Sequence, residues 1–230
     1  MNRKEQIQKY IQENAIEEIK QLLSEITIEA KDRRKSKMIC EEGIHEILIE
    51  NLTYFIEHEL QKEIAECIYQ LIKRPTLITY FSIELSKKIV ESSIYQYQFD
   101  ILRSVTRNDE YCLALKDHLS DIIEIMKNVD YLTNQYACYS LSNLAKHFSD
   151  ELIPIVIIIV DKMCQCDVKS VSEEHWFGVG EALCAIAKNV TEKIKLAGKI
   201  DYKLVELRDQ HKENICLCNI IRDVIQFLAK

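Results

Sequence analysis

The sequence predicts an all-α protein built as a helical solenoid, and three observations support this fold class. Apolar residues recur every three to four positions along most of the 230 residues, which is the period of an amphipathic helix. A similar apolar phrase returns about every 40 residues, as in proteins that stack helical repeats. The chain has only 4 glycines and 2 prolines, which argues against folds that depend on glycine turns or phosphate-binding loops.

The N-terminal segment, residues 1–30, is predicted to be a helical cap, because terminal repeats are usually atypical. Ile16, Ile19, Leu23 and Ile26 recur there at helical spacing. A basic run follows at Lys31 to Lys37 and has two interpretations. It could be a nuclear-localisation signal or an autoinhibitory arm. Its place directly before an apolar stretch favours the charged start of the first helix of repeat one.

The repeated phrase ends on a large apolar residue, which serves as an anchor for aligning the copies. The anchors are Leu71, Val105, Leu144, Ile186 and Leu228, so the steps are 34, 39, 42 and 42 residues. Repeats of two or three helices have periods of about 40 to 47 residues. The anchors therefore predict a series of such repeats, with the long helix of each repeat at its end.

Glycine and proline mark predicted helix boundaries in this series. Gly43 and Gly198 each follow a short apolar helix and precede an apolar pair. Each is predicted to be a bend between two helices, because glycine adopts the left-handed conformation without steric cost. His118 takes this place in a third copy. Pro154, inside the apolar run 152–160, fits the first turn of a helix better than a central strand.

These features resemble the armadillo repeat, which has a short first helix, a glycine, a second helix and a long third helix. Residues 140–145 match the phrase Leu-Ser-Asn-Leu-Ala that closes the third helix, and residues 182–189 nearly match it. The resemblance covers residues 31–230 as four to five repeats in a single continuous domain. It implies a right-handed α-solenoid whose third helices line a concave face.

One face of the predicted third helices is acidic. Positions 0, −3 and −7 from each anchor are mostly apolar and share the core face, whereas positions −1, −5 and −9 share the opposite face. Position −5 holds Glu66, Asp100, Tyr139, Glu181 and Asp223. We call the four carboxylates of this set the acidic row. The flanking positions −1 and −9 hold Gln70, Ser104, Asn143, Ala185 and Phe227, and Lys62, Gln96, Gln135, Phe177 and Asn219.

The implied concave face predicts a non-enzymatic protein-protein interaction module that binds a basic or extended partner segment. Complementary charge along a row favours orientation and fast association. The predicted partner-binding residues are Glu66, Gln70, Asp100, Tyr139, Asn143, Glu181 and Asp223. The alternative for the acidic row is an ordinary solvated helix face.

Two other functions stay open. The chain could be a small structural subunit packed permanently in a large multiprotein assembly. It could also be a shortened importin-alpha-like cargo adaptor, since such receptors carry a Trp and an Asn four residues apart on successive third helices. Here Tyr139 and Asn143 form such a pair once, with Tyr in place of Trp. The only Trp, Trp176, is predicted to be a core residue.

Composition limits the partners and the compartment. The formal net charge of −7 makes nucleic acid an unlikely partner. No apolar run approaches the roughly 20 residues of a membrane-spanning helix. No secretory signal is visible, and the 9 cysteines are an odd number and scattered. These features predict reduced thiols and a cytoplasmic or nuclear location.

No catalytic motif, cofactor site or metal site is predicted. Known nucleophile, zinc-protease and phosphate-loop motifs are absent from the sequence. The pairs Cys164–Cys166 and Cys216–Cys218 could suggest zinc, but zinc pairs are usually separated by two to four residues. We therefore interpret these cysteines as small buried apolar residues.

Overall fold

The computed structural model describes residues 2–74, 77, 80, 81, 98–132, 134–191 and 193–229. Within these ranges every regular element is helical and no strand occurs, as the sequence predicts. Gln96, one of the flanking positions named above, lies outside the described residues. The chain divides into two compact units, Met1–Leu115 and Lys116–Lys230, which we describe separately.

Unit 1 contains eight described helices: α1 (Arg3–Gln12), α2 (Ile16–Ala30), α3 (Arg33–Glu41), α4 (Ile44–Glu50), α5 (Leu52–Glu57), α6 (Gln61–Ile72), α7 (Gln98–Thr106) and α8 (Asp109–Ala114). The long helix α6 packs against α2 on one side and α7 on the other. The basic run lies at the start of α3, as the helix interpretation predicts. Asp32 caps this helix, and its carboxylate accepts hydrogen bonds from the backbone amides of Arg34 (2.9 Å) and Lys35 (3.0 Å).

Two residues fix the corners of unit 1. Gly43 has φ of 70° between α3 and α4, so the predicted glycine bend is confirmed there. Arg74 joins the corner after α2 to the end of α6. Its guanidinium donates to the carbonyls of Ala30 (3.2 Å), Lys31 (2.5 Å) and Asp32 (3.1 Å). The bonds to Ala30 and Lys31 satisfy carbonyl groups that the end of α2 leaves without partners inside the helix.

Unit 2 follows a 3₁₀ turn at Leu115–His118 and contains α9 (Leu119–Lys127), α10 (Gln135–Phe148), α11 (Ile153–Gln165), α12 (Glu173–Asn189), α13 (Lys193–Gln210) and α14 (Ile215–Leu228). The long helices α10, α12 and α14 pack side by side, and α11 packs against α13. Pro154 lies in the first turn of α11, as predicted. Trp176 is 1% exposed, which confirms its core assignment.

The predicted bend at Gly198 is wrong. The helix α13 continues through this position from Lys193 to Gln210. Leu196, Ile200, Leu204 and Leu207 are all buried and form one apolar stripe at helical spacing. Packing of this stripe outweighs the cost of about 1 kcal/mol that glycine imposes inside a helix.

Polar contacts at repeat-length separation support the repeat period inside each unit. In unit 2, Thr191 donates to the carboxylate of Asp150 through its backbone amide (2.9 Å) and its hydroxyl (2.6 Å), across 41 residues. Lys203 bonds Asp161 across 42 residues. In unit 1, Lys4 bonds Glu46 at 3.4 Å, also across 42 residues. These contacts therefore join segments that lie about one anchor spacing apart in the sequence.

Most residues at positions 0, −3 and −7 of the long helices are buried, as the sequence predicts; Ile225 is half-buried. The interpretation of the two cysteine pairs as buried is wrong. Cys164 is exposed, and Cys166, Cys216 and Cys218 are half-buried. They lie at or near helix ends, where fewer neighbouring elements cover a side chain.

Candidate functional site

The helices α12 and α14 run parallel and touch closely in unit 2. A Cβ placed on Gly180 would lie 2.7 Å from Cγ1 of Ile220, so any larger residue at this position would force the Ile220 side chain to shift. The negative charge of Asp223 contributes to the raised pKa of Cys184, and that of Glu173 contributes to the raised pKa of Cys216. The two residues of each pair therefore lie near each other. The residue numbers rise together in the three pairs, which are Glu173 with Cys216, Gly180 with Ile220 and Cys184 with Asp223. The two helices therefore run in the same direction.

A pocket of about 460 Å³ lies between these two helices, and we call it the α12–α14 slot. It is lined chiefly by Phe177, Glu181, Cys184, Ile220, Asp223 and Phe227. Glu181 is exposed and Asp223 is half-exposed. The slot therefore combines two carboxylates with apolar and aromatic walls, which is chemistry that suits the stem and the cation of a basic side chain.

The electrostatics of the slot are negative. Burial, with a smaller contribution from the charge of Asp223, raises the pKa of the Cys184 thiol to about 11. The neighbouring Arg222 contacts Asp223 at 3.1 Å on the protein surface. Because exposed ion pairs contribute about 0–1 kcal/mol, an incoming cation can displace this contact at small cost.

The adjacent long helix α10 carries Tyr139 and Asn143 one turn apart, and both are half-buried. The amide of Gln135 donates a hydrogen bond of 2.7 Å to the phenol oxygen of Tyr139. The helix α12 approaches α10 at Gly178, where an added Cβ would lie 3.3 Å from Cγ of Gln135. Gly178 and Gly180 thus bring α12 close to both of its neighbours.

In unit 1 the predicted residues lie on α6 and α7. Glu66 is half-buried, whereas Gln70 is 8% exposed and accepts a hydrogen bond from Lys73. Asp100 lies in the first turn of α7 and is half-buried. Burial raises the pKa of its carboxyl to about 6, against the opposing attraction of Arg103. Desolvation is therefore the larger effect at this carboxylate.

Comparisons of the sequence with family models and with curated proteins found no match. Comparisons with solved structures found several matches. The crystal structure of an engineered protein has a TM-score of 0.70 at 20% identity, covering 100% of this chain and 97% of the other. A designed armadillo repeat protein in complex with the peptide (KR)4 has a TM-score of 0.70 at 16% identity, covering 99% of this chain and 100% of that one. This chain has the armadillo repeat fold.

A second designed armadillo repeat protein, 16% identical, matches with a TM-score of 0.67 over 92% of this chain and 94% of the other. The resemblance read from the sequence is thereby confirmed at the level of the fold. In armadillo terms, α6, α7, α10, α12 and α14 hold the places predicted for third helices. The residues predicted to bind a partner all lie on these five helices.

The structure brings only some of the predicted residues together. Glu181 and Asp223 line one slot, with the flanking Phe177, Phe227 and Asn219. Tyr139 and Asn143 share a face of α10, and Glu66 and Asp100 lie on neighbouring helices of the other unit. Gln70 differs from the rest because its side chain is turned into the protein and bonded to Lys73.

The sequence reasoning missed an acidic surface on α2. A pocket of about 590 Å³ lies between α2 and α6, with Lys20 and Glu63 in contact at 3.6 Å. Its other lining residues are Glu17, Glu18, Gln21, Ser24 and Glu25. The sequence contains the pattern that predicts this surface. The polar residues Glu17, Gln21 and Ser24 recur at helical spacing, on the side of α2 opposite its buried isoleucine and leucine residues.

The described residues show neither a metal site nor a membrane span. No group of three or more His, Cys, Asp or Glu side chains among them is placed to hold a metal ion. No helix in the described ranges is both long and apolar enough to cross a bilayer.

Proposed function

We propose that this protein is a non-enzymatic binding module that takes a basic, extended segment of a partner protein on the acidic faces of its third helices. The observation that carries this proposal is the α12–α14 slot, where Glu181 and Asp223 stand between aromatic and apolar walls. Such a surface attracts a lysine or arginine through charge and covers its methylene stem. The designed armadillo protein that shares this fold is in complex with (KR)4, which supports the choice of a basic segment.

The other predicted contacts extend this proposal. Glu66 and Asp100 offer carboxylates on third helices of unit 1, and Tyr139 and Asn143 offer an aromatic ring and an amide on α10. An aromatic ring can stack on a cationic side chain. An amide can bond the backbone of an extended peptide. Gln70 is the weakest member, because its carbonyl oxygen is already bonded to Lys73.

The test measures binding of a fluorescent (KR)4 peptide to the full chain by anisotropy. The double variant Glu181→Lys/Asp223→Lys is expected to bind at least about tenfold more weakly than the parent, since two attractions become repulsions. The control Glu151→Lys/Glu206→Lys makes the same change in net charge at two exposed sites outside the third helices. It should stay within about twofold of the parent in affinity, because distant exposed charges are screened.

Two outcomes would contradict the proposal. One is no measurable binding of basic peptides by the parent chain at low salt. The other is equal weakening by the slot variant and the control, which would mean that net charge alone attracts the peptide. Helical content of both variants is compared by circular dichroism, so that loss of folding is not mistaken for loss of binding.

A second candidate, a structural subunit of a larger assembly, is favoured by exposed large apolar side chains. Ile28 is 64% exposed in unit 1, and Tyr202 and Ile215 are 63% and 73% exposed in unit 2. A permanent partner would remove such apolar side chains from water, which is favourable. Mild-lysis affinity purification distinguishes the two functions. A fixed, salt-resistant set of partners in constant proportion supports the subunit, and a salt-sensitive set supports peptide binding.

A further inference from the structure

Helix α3 presents to solvent a face that is symmetrical about its central methionine. Met38 is 55% exposed. Arg34 and Lys35 lie four and three residues before it, whereas Glu41 and Glu42 lie three and four residues after it, and all four are exposed. Residues at these spacings lie on one side of a helix. We call these five residues the α3 face, which is basic at one end, apolar at its centre and acidic at the other.

Contacts within unit 1 agree with this placement. Lys35, Met38 and Glu42 together line a pocket of about 510 Å³ beside α1 and α2, so they share one side of α3. Glu42 follows the helix directly and stays in the right-handed helical region, with φ of −75° and ψ of −5°. The side of α3 that packs against the rest of the unit carries its buried residues, which are Ser36, Ile39 and Cys40.

The order of charges on α3 does not stabilise the helix itself. A helix carries partial positive charge at its N-terminus and partial negative charge at its C-terminus, so acidic residues are favourable in the first turn and basic residues in the last. Helix α1 follows this rule with Glu5 and Lys9. Helix α3 has no acidic residue in its first turn and no basic residue in its last, although its cap Asp32 partly offsets the basic end. The reversed order therefore calls for an explanation outside the helix.

A second copy of the same helix, running in the opposite direction, complements this face. Around a two-fold axis at Met38, Arg34 and Lys35 of one copy would lie against Glu42 and Glu41 of the other, and the two methionines would meet. We propose that the protein forms a weak symmetric dimer through the α3 faces of two copies. Such a contact is self-complementary, because every residue pair occurs twice. A parallel arrangement would instead place like charges opposite each other.

The contacts that the α3 face already makes do not prevent this pairing. Lys37 contacts Glu41 at 3.4 Å, and the hydroxyl of Tyr80 donates to the same carboxylate at 3.4 Å, both at the surface. Exposed contacts of this kind contribute little to stability, so they can be exchanged. The net charge of −7 opposes association. Its repulsion between distant charges is largely screened beyond about 8 Å at physiological salt, whereas charges that touch across the face are not.

The size of the contact predicts a weak and reversible dimer. The nine residues of α3 span about 14 Å at 1.5 Å per residue. A contact of this length belongs with the transient interfaces, which bury less than about 1,200 Å². The proposal goes beyond the proposed function, because α3 is not one of the five helices that carry the predicted peptide-binding residues.

The test is a charge exchange on the full chain, followed by sedimentation equilibrium at about 0.15 M salt. The acidic variant Arg34→Glu/Lys35→Glu and the basic variant Glu41→Lys/Glu42→Lys should each self-associate at least about tenfold more weakly than the parent, because like charges then meet across the axis. An equimolar mixture of the two should recover an affinity within about threefold of the parent, since every pair is again attractive. Both variants place charges as the helix dipole favours, so neither should unfold α3. The controls make the same changes in net charge at exposed sites in unit 2 and should associate like the parent: Lys116→Glu/Lys199→Glu and Glu151→Lys/Glu206→Lys.

Several outcomes would overturn the dimer. One is a parent chain that stays monomeric up to about 1 mM, a concentration at which even a weak complex forms. Another is weakening of the charge variants and their controls to the same degree, which would mean that net charge alone matters. If only the acidic variant loses association, the basic end binds a different acidic surface and the pairing of α3 with itself is wrong. A mixture that fails to associate also contradicts the two-fold arrangement.

Discussion

Replacing Asp100 by Asn should stabilise the protein at neutral pH. Burial raises the pKa of this carboxyl from 3.8 to about 6, so the folded state binds a proton more tightly than the unfolded state. The shift of about 2.2 units corresponds to about 3 kcal/mol at 1.36 kcal/mol per unit. Because the side chain is half-exposed and solvent screens its charge, we expect about 1–2 kcal/mol.

The sign of the pH dependence follows from proton linkage. Between pH 3.8 and about 6 the folded carboxyl holds a proton that the unfolded one has lost, so the stability contributed by Asp100 falls as pH rises through this range. Above pH 6 both states are ionised and the penalty is constant. Asp100→Asn has no charge to desolvate, so its advantage should be full at pH 8 and small near pH 4.

Urea unfolding followed by circular dichroism at these two pH values measures the effect. The control Asp117→Asn makes the same chemical change at an exposed carboxylate and should alter the free energy of unfolding by less than about 0.5 kcal/mol. Equal gains at pH 4 and pH 8, or no gain at pH 8, would refute the desolvation argument. If Asp100 also contacts a basic partner, the stabilised variant should bind (KR)4 more weakly than the parent.

Three further predictions concern stability. The pKa of His45 is lowered chiefly by burial, so its contribution to the unfolding free energy should fall as pH drops below about 6.5. The variant His45→Gln keeps a donor for the Tyr80 carbonyl but does not titrate. It should flatten this pH dependence, as measured by urea unfolding across pH 5–7. Arg74→Met should lower the free energy of unfolding by about 2 kcal/mol, because it removes charged hydrogen bonds to three carbonyls. An unchanged midpoint of urea unfolding would contradict this. Gly180→Ala should lower the free energy of unfolding by about 1–3 kcal/mol through overpacking, whereas Gly198→Ala, with open space around its Cβ, should raise it by about 0.5–1 kcal/mol. Thermal unfolding of both variants measures the two shifts.

Helical periodicity and the repeated phrase were enough to predict the fold. The anchors Leu71, Leu144 and Ile186 are buried on long helices, because a 3.6-residue apolar stripe has to face a core wherever the chain is a helix. Pro154 and Gly43 were also predicted correctly, since their backbone constraints act locally. Such signals depend on the residue itself and its near neighbours, and a single sequence contains them in full.

Features that depend on distant packing were harder to predict. Gly198 and Gly43 have similar apolar patterns around them, yet one lies inside a helix and the other at a bend. Whether a glycine bends the chain depends on how well the helices on either side pack as one piece. The exposure of Cys164 and the burial of Gln70 were not predicted, for the same reason. Whether a side chain is covered depends on helices that are distant in the sequence, and the spacing of apolar residues around it does not reveal those helices.

The acidic row shows how one sequence position acquires different chemistry in different repeats. Asp100 and Glu181 both hold position −5 of the sequence alignment, but Asp100 is half-buried with a raised pKa and Glu181 is exposed. A partially desolvated carboxylate binds a cation strongly only when ionised, so binding at Asp100 should strengthen as pH rises through 6. The slot that contains Glu181 has aromatic ends as well, so its apolar contacts should persist at high salt while the charge contacts weaken. Binding by unit 2 should therefore lose less affinity with salt than binding by unit 1, and measuring (KR)4 binding by the variants Glu181→Gln and Asp100→Asn across a salt series separates the two contributions.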